Sequence, residues 1–246
     1  MTVHLSLTTL IQHFLFVFLL LIAPAWDYYD TACLKRNPDS AQRIRYYRTV
    51  VLWLWIAAIV ACAVVGLRSI FTIIPAPHEA PWLYGHAWVR YVVGVALALL
   101  TAAMLLPYIT VAWMRLTGKP RTYKSADLMR TVSYAYLLPV TRRERRWWVL
   151  VGITAGLCEE IVFRGFLLYY LHTSPWKLDL TLALLFSSAI FGLQHLYQGA
   201  QGVVVTFVLG ALFGLFFLLT GSLVFPILLH AATDLRLLVM LPPATE

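Results

Sequence analysis

Charge is what this chain has least of. Asp, Glu, Lys and Arg make up 12% of its 246 residues, against about a quarter in soluble domains. Hydrophobic residues make up 61%, and the mean hydropathy is +0.78. That balance excludes an ordinary soluble domain and points to an integral membrane protein. Cysteine is scarce as well: Cys33, Cys62 and Cys158 show no C-x-x-C spacing and leave an odd count, so neither a disulfide framework nor a zinc ribbon is supported. Cys158 reads as a small buried hydrophobe. There is no internal repeat, no low-complexity tract and no H-E-x-x-H sequence. The formal net charge is +8, yet the basic residues gather beside apolar runs. The expected partners are therefore the lipid bilayer and its anionic headgroups, and no nucleic acid.

Long apolar runs are present instead. A helix needs about 20 mainly apolar residues to cross the hydrocarbon core, and seven segments satisfy that rule, near 5–25, 49–74, 87–114, 147–171, 178–196, 202–219 and 222–241. The expected fold is all-α, a polytopic transmembrane helical bundle with a four-helix C-terminal catalytic core. Two regions follow: 1–146, with three spans and a basic cytoplasmic loop, and 147–246, the core. The first segment lacks a positively charged lead-in and is too long for a signal peptide, so it counts as a span. Lys35, Arg36, Arg43, Arg45 and Arg48 follow it, and nine Lys and Arg fall between Arg115 and Arg146. Both stretches should be cytoplasmic, which puts the N-terminus outside and the C-terminus inside. The segment "PAPHEAPWLYGH" has neither Lys nor Arg and reads as an external loop. Trp147 and Trp148 fit an aromatic belt where the fourth span meets the headgroups, and 127–140 reads as a short interfacial helix.

An ionised side chain at the bilayer centre costs about 2.5 to 3.5 kcal/mol on insertion scales, so such groups are functional candidates by default. The C-terminal half holds Glu159, Glu160, Arg164, His195, His230 and Asp234 inside or at the ends of its spans. The first three spans hold almost none; Arg68 lies near an end and can snorkel. Glu160 and Arg164 are four apart, which stacks them on one helical face as an ion pair. Glu159 lies about 100° away around the helix and is left without that partner. A carboxylate in such a site is suited to take a proton from water. Phe191 lies one turn before His195, Gly192 permits close helix contact, and His230 and Asp234 are again four apart, so the aspartate can orient the imidazole.

Two imidazoles and a carboxylate on three helices leave two chemistries open: a divalent metal such as zinc on Glu159, His195 and His230 with one position free, or direct activation of water. His78, His86 and His172 read as solvated or interfacial, and His4 and His13 as uninvolved. A proton-coupled transporter also uses buried Glu, Arg and His, but the inverted repeats of many such folds are absent. A catalytically silent scaffold or immunity protein is the other alternative to an enzyme.

The ordered set "EEIVFRG", "FGLQH" and "HAATD", with "TGSLVFPILLH" leading into the last, resembles the CPBP family over Trp147 to Met240. These are the CAAX-protease and bacteriocin-processing intramembrane proteases, also called Abi or Rce1-like. The resemblance implies an intramembrane endopeptidase acting on a membrane-associated protein or peptide, by CAAX-type, leader-peptide or C-terminal sorting-signal processing, with the cell membrane as its location. It implies Glu159 as general base, Glu160 salt-bridged to Arg164, His195 positioning water or a metal, and His230 and Asp234 serving the substrate carbonyl as an oxyanion site or acting as further ligands. The family's last motif position is commonly Asn. Asp234 departs from that, and an ionised aspartate cannot donate to an oxyanion.

Overall fold

The computed structural model describes residues 6–71, 80–118, 132–173 and 175–246. Seven long helices account for most of them, and among the described residues there is no sheet, only a parallel bridge between Thr141 and Thr245. Helix α1 runs from Leu7 to Arg36, capped by the Ser6 hydroxyl on the Thr9 amide at 3.1 Å. It widens into a π turn at Phe18–Ile22 just before Pro24, which has no N–H to give the preceding turn. Helix α2, Ser40–Val65, starts at Asp39, whose carboxylate accepts from the Gln42 amide at 2.8 Å, and stops at Gly66 with φ 90°. That left-handed conformation suits glycine. Helix α3 is Ala87–Leu116.

Helix α4 covers 142–173 and contains a seven-residue π segment, Ile161–Leu167. Its start is a reciprocal capping box, in which the Thr141 hydroxyl accepts from the Glu144 amide and Glu144 accepts from the Thr141 amide. Helices α5, Leu180–Leu193, α6, Gly199–Thr220, and α7, Val224–Met240, complete the bundle. Asp179 caps α5 through the amides of Thr181 and Leu182.

Each of the seven expected spans overlaps one of these helices, but among the described residues only four helices are long and apolar enough to cross a membrane: α1, α2, α3, and α6 counted with the turn before it, Leu196–Thr220. The expectation of seven is corrected by charge and length. Helix α4 carries four arginines and Glu144 in its first turns and Glu159, Glu160 and Arg164 further on. Helix α5 has 14 residues, about 21 Å at 1.5 Å per residue, short of a core of about 30 Å. Helix α7 has 17 residues and includes His230, Asp234 and Arg236. The chain is a multi-pass helical membrane protein whose charged helices are shielded by its apolar ones.

Position bears this out. The stretch 160–168 of α4 is buried throughout, and α4 packs against α2 and α7. Helix α3 is the opposite case, with only 6% of its apolar window buried; Leu99, Leu106 and Ile109 face outward, as side chains in contact with lipid do.

Three further expectations are amended. The interfacial helix at 127–140 falls partly outside the described residues, and its described part holds only a 3-10 turn, Ala135–Leu137. Of the external loop, 75–79 lie outside the described residues, but Pro81–Tyr84 is a helical turn with Leu83 fully buried and the Tyr84 hydroxyl donating to the Leu218 carbonyl at 2.6 Å. His172 is not free in solvent: its Nδ1 lies 2.9 Å from the Leu178 carbonyl. His86 is exposed, as expected, while His4 and His78 lie outside the described residues. His13 hydrogen-bonds the Thr9 carbonyl at 2.7 Å and sits far along the chain from the charged cluster. Cys158 is fully buried, as a small hydrophobe should be.

Candidate active site

Backbone approach comes first, because it decides which side chains can meet. Helices α4 and α7 pack so closely that a Cβ on Gly156 would lie 2.7 Å from the Ala231 Cβ and backbone nitrogen, and one on Gly152 would lie 3.0 Å from Leu235. Small residues at a four-residue interval let two helix backbones nearly touch. Ala231 adjoins His230, and Gly156 is one turn before Glu160. The glycine contact therefore brings the imidazole onto the carboxylates.

Glu160 is fully buried and works as an acceptor for two donors through one oxygen. Its Oε1 takes Arg164 Nη1 at 2.9 Å and His230 Nδ1 at 2.7 Å. The expected i,i+4 ion pair is formed, and the π segment that begins at Ile161 does not separate it. Arg164 spends a second nitrogen on the Gly210 carbonyl of α6 at 3.0 Å. Its guanidinium carbon lies 4.5 Å from the Phe191 ring centre and 5.6 Å from that of Phe213, within cation–π range. Gly210 allows this approach, since a Cβ there would sit 3.4 Å from Arg164 Nη2 and 3.1 Å from the Phe191 ring. The cation is thus held by three helices.

His230 has its orientation set from every side. A carboxylate that already accepts from arginine has no proton to give, so His230 Nδ1 is the donor and Nε2 is the atom turned to the remaining acids. Nε2 lies 3.7 Å from Glu159 Oε2 and 3.7 Å from Asp234 Oδ2, beyond direct hydrogen bonding and wide enough for small shifts or a bridging water. Phe213 stacks on the imidazole at 5.3 Å and 27°, and Phe191 meets it edge-on at 5.8 Å and 87°. The close partner of His230 is therefore Glu160 on another helix, while Asp234, the partner expected from spacing, is the more distant one.

Glu159 behaves differently from its neighbour. It lines a cavity of about 520 Å³ together with His195, His230 and Asp234, whereas neither Glu160 nor Arg164 lines it. Glu159 Oε2 is buried and accepts no hydrogen bond, a costly state for a carboxylate oxygen unless a ligand or water meets it. His195 lies two residues past the end of α5, its Nδ1 3.0 Å from the Phe191 carbonyl. A carbonyl cannot donate, so Nδ1 carries the proton and the neutral ring has its free electron pair on Nε2. Gly192, expected to allow close contact, does so: a Cβ there would lie 2.9 Å from the Val203 carbonyl.

A metal on Glu159, His195 and His230 was one of the two readings open from sequence. Among the described residues no three His, Cys, Asp or Glu side chains converge as ligands. Glu159, His195 and His230 do not form a ligand set in this arrangement.

Glu159, Phe191, His195, His230 and Asp234 line one cavity, and Glu160 joins Arg164 to His230 beside it. The arrangement adds Phe213 and the Gly210 carbonyl, for which an apolar helix offers no signal. It also adds a polar end of the cavity, formed by Asp27, Tyr46 and Tyr197 from outside the motifs.

No curated protein and no solved structure matches the chain. Residues 142–236 match the family model described as "Type II CAAX prenyl endopeptidase Rce1-like", a segment that runs from the start of α4 to the last turns of α7 and holds Glu159, Glu160, Arg164, Phe191, His195, His230 and Asp234.

Proposed function

We propose that the protein is an intramembrane endopeptidase that hydrolyses a peptide bond in a membrane-associated protein or peptide. The observation that carries this reading is the buried Glu159 oxygen that accepts no hydrogen bond, on the wall of a cavity shared with two oriented imidazoles. The match of the same segment to an endopeptidase family supports it. CAAX-type, leader-peptide and C-terminal sorting-signal substrates all share the membrane attachment that a lipid-embedded cavity requires. The basic stretches at 35–48 and 115–146 support an outer N-terminus with those two connections on the cytoplasmic side, and the reading places the protein in the plasma membrane.

The chemistry assigns each group one task. Glu159 takes a proton from a water molecule, with the electron pair on His195 Nε2 accepting that water's other hydrogen. The water oxygen attacks the scissile carbonyl carbon. His230, protonated at Nε2 and balanced by Glu160 at Nδ1, donates to the carbonyl oxygen as it gains charge. The C–N bond breaks as the proton on Glu159 passes to the leaving nitrogen. Asp234, 3.7 Å from His230 Nε2, stabilises the imidazolium by its charge, since an ionised carboxylate cannot donate to an oxyanion.

The test compares membrane and secreted peptides, by mass spectrometry, from cells carrying the native protein and cells carrying Glu159→Gln at equal abundance. A precursor that accumulates uncut in the variant supports the reading and identifies the substrate class. Identical peptide profiles under conditions where the gene is needed would remove it.

A further inference from the structure

The cavity that holds Glu159 does not stop at the motif helices. Its far wall is built by α1 and α2, which lie outside the matched segment 142–236. Along α1 the lining changes character: Phe14, Phe18 and Ile22 are apolar, and Asp27 follows one to two turns later. Phe14 to Asp27 is thirteen residues, about 20 Å along the axis. Asp27 Oδ1 accepts from the Tyr46 hydroxyl of α2 at 2.8 Å. Among the described residues no cation pairs with it: Arg45 pairs with Asp30 at 2.8 Å, Arg43 with Glu144 at 3.2 Å, and Arg236, which lines the same cavity, donates to the Met104 sulfur at 2.9 Å. Asp27 is thus a carboxylate held in place by a tyrosine, facing a cavity, with its charge unanswered.

The direction of α1 says what answers it. Lys35, Arg36 and the basic residues at the start of α2 lie just beyond Asp27, so the Asp27 end is the cytoplasmic end of the cavity. A membrane-inserted polypeptide lying in this cavity would set apolar side chains beside Phe14, Phe18 and Ile22. The same charge rule gives such polypeptides Lys or Arg where they leave the bilayer on the cytoplasmic side, which is the level of Asp27.

We infer that Asp27 is a specificity-determining residue that receives a Lys or Arg side chain of the substrate, and that the preferred substrate is an apolar segment followed on its cytoplasmic side by a basic residue. This rests on the endopeptidase reading for the cleavage step alone; the recognition itself is a binding property. Tyr46 positions the carboxylate, and the aromatic wall of α1 and α2 holds the apolar part.

The test uses the full chain in lipid nanodiscs and three synthetic peptides. Each has the same Leu- and Ala-rich membrane segment carrying a diazirine photocrosslinker, and each ends on Lys-Lys, Gln-Gln or Glu-Glu. The native protein should capture the Lys-Lys peptide with an apparent affinity about tenfold above the Gln-Gln peptide, the scale of one partly buried ion pair. Asp27→Asn should keep Gln-Gln capture and lose the preference, Asp27→Glu should restore it, and Asp27→Lys should shift it to Glu-Glu. Monodisperse elution of each variant guards against a folding artefact, and Asp27→Glu reads the charge independently of shape. Equal capture of Lys-Lys and Gln-Gln by the native protein, or an unchanged preference in Asp27→Asn, overturns the inference. Mass spectra of the same samples separate the two claims. Selective capture without any cut removes the endopeptidase reading and leaves Asp27 recognition standing; cutting without selectivity does the reverse.

Discussion

Arg164→Ala tests the buried network where its energetics are most concentrated. The guanidinium is 3% exposed, donates to Glu160 and to the Gly210 carbonyl, and lies over Phe191. Removing it leaves Glu160, itself fully buried, with His230 as its only hydrogen-bond donor, because its second oxygen already accepts nothing. Breaking a buried ion pair from one side costs about 3 to 5 kcal/mol. For a chain of this size each kcal/mol moves the unfolding midpoint by about 2 to 4 °C, so the midpoint should fall by about 10 °C. Fluorescence-detected size exclusion after heating, on detergent-solubilised protein, reads this directly. The double variant Glu160→Leu with Arg164→Met should recover most of the loss, since apolar groups of similar volume replace a buried pair at little cost. It should nonetheless be inactive, because His230 then lacks the partner at Nδ1. An Arg164→Ala protein with an unchanged midpoint would refute the claim that this pair holds α4, α6 and α7 together.

Other outcomes follow from single contacts. Gly156→Val should separate α4 from α7 and abolish activity along with lowering the midpoint, because the added carbons meet the Ala231 backbone at 2.7 Å; Gly94→Ala, with open space around it, should change neither. Phe213→Leu should lower activity more than stability, since it removes the ring stacked on His230 while keeping most of the volume; equal losses in both would count against an orienting role. Glu144 supplies a pH dependence. Burial opposes its charged form, but the Ser40 hydroxyl, the Val140 and Thr141 amides and Arg43 together hold its carboxyl below the ordinary glutamate value. Its contribution is therefore complete above the unfolded glutamate value of about 4.3 and is lost as pH falls through the lower folded value. Glu144→Gln should flatten the acid limb of a midpoint-against-pH curve between those two values, and an unaltered limb would contradict the cap and ion pair at the start of α4.

Local spacing made part of this site readable. Glu160 and Arg164 pair because four residues make one helical turn, and Glu159 is separated from them by the angle that one residue subtends. Phe191 and Gly192 fall where the motif spacing puts them. What spacing cannot express is a contact between residues 70 apart in the chain: Glu160 to His230 depends on Gly156 meeting Ala231, and a glycine in an apolar helix has many other uses. The span count failed for a related reason. A hydropathy window counts apolar residues without knowing which helices are wrapped by others, so α4 and α7 scored as spans although their charges are tolerated only inside the bundle. The placing of Asp27 beside Tyr46 likewise arises from packing between α1 and α2.

The proposed hydrolysis by Glu159-activated water would leave a mark on its product. Membranes containing the native protein or Glu159→Gln at equal abundance, incubated in water enriched in oxygen-18, should differ in one respect. Peptides with new C-termini carrying a single heavy oxygen should form with the native protein and be absent with the variant. Equal labelled product from both would contradict the role of Glu159, and no labelled product from either, with substrate-bearing membranes, would contradict peptide hydrolysis itself.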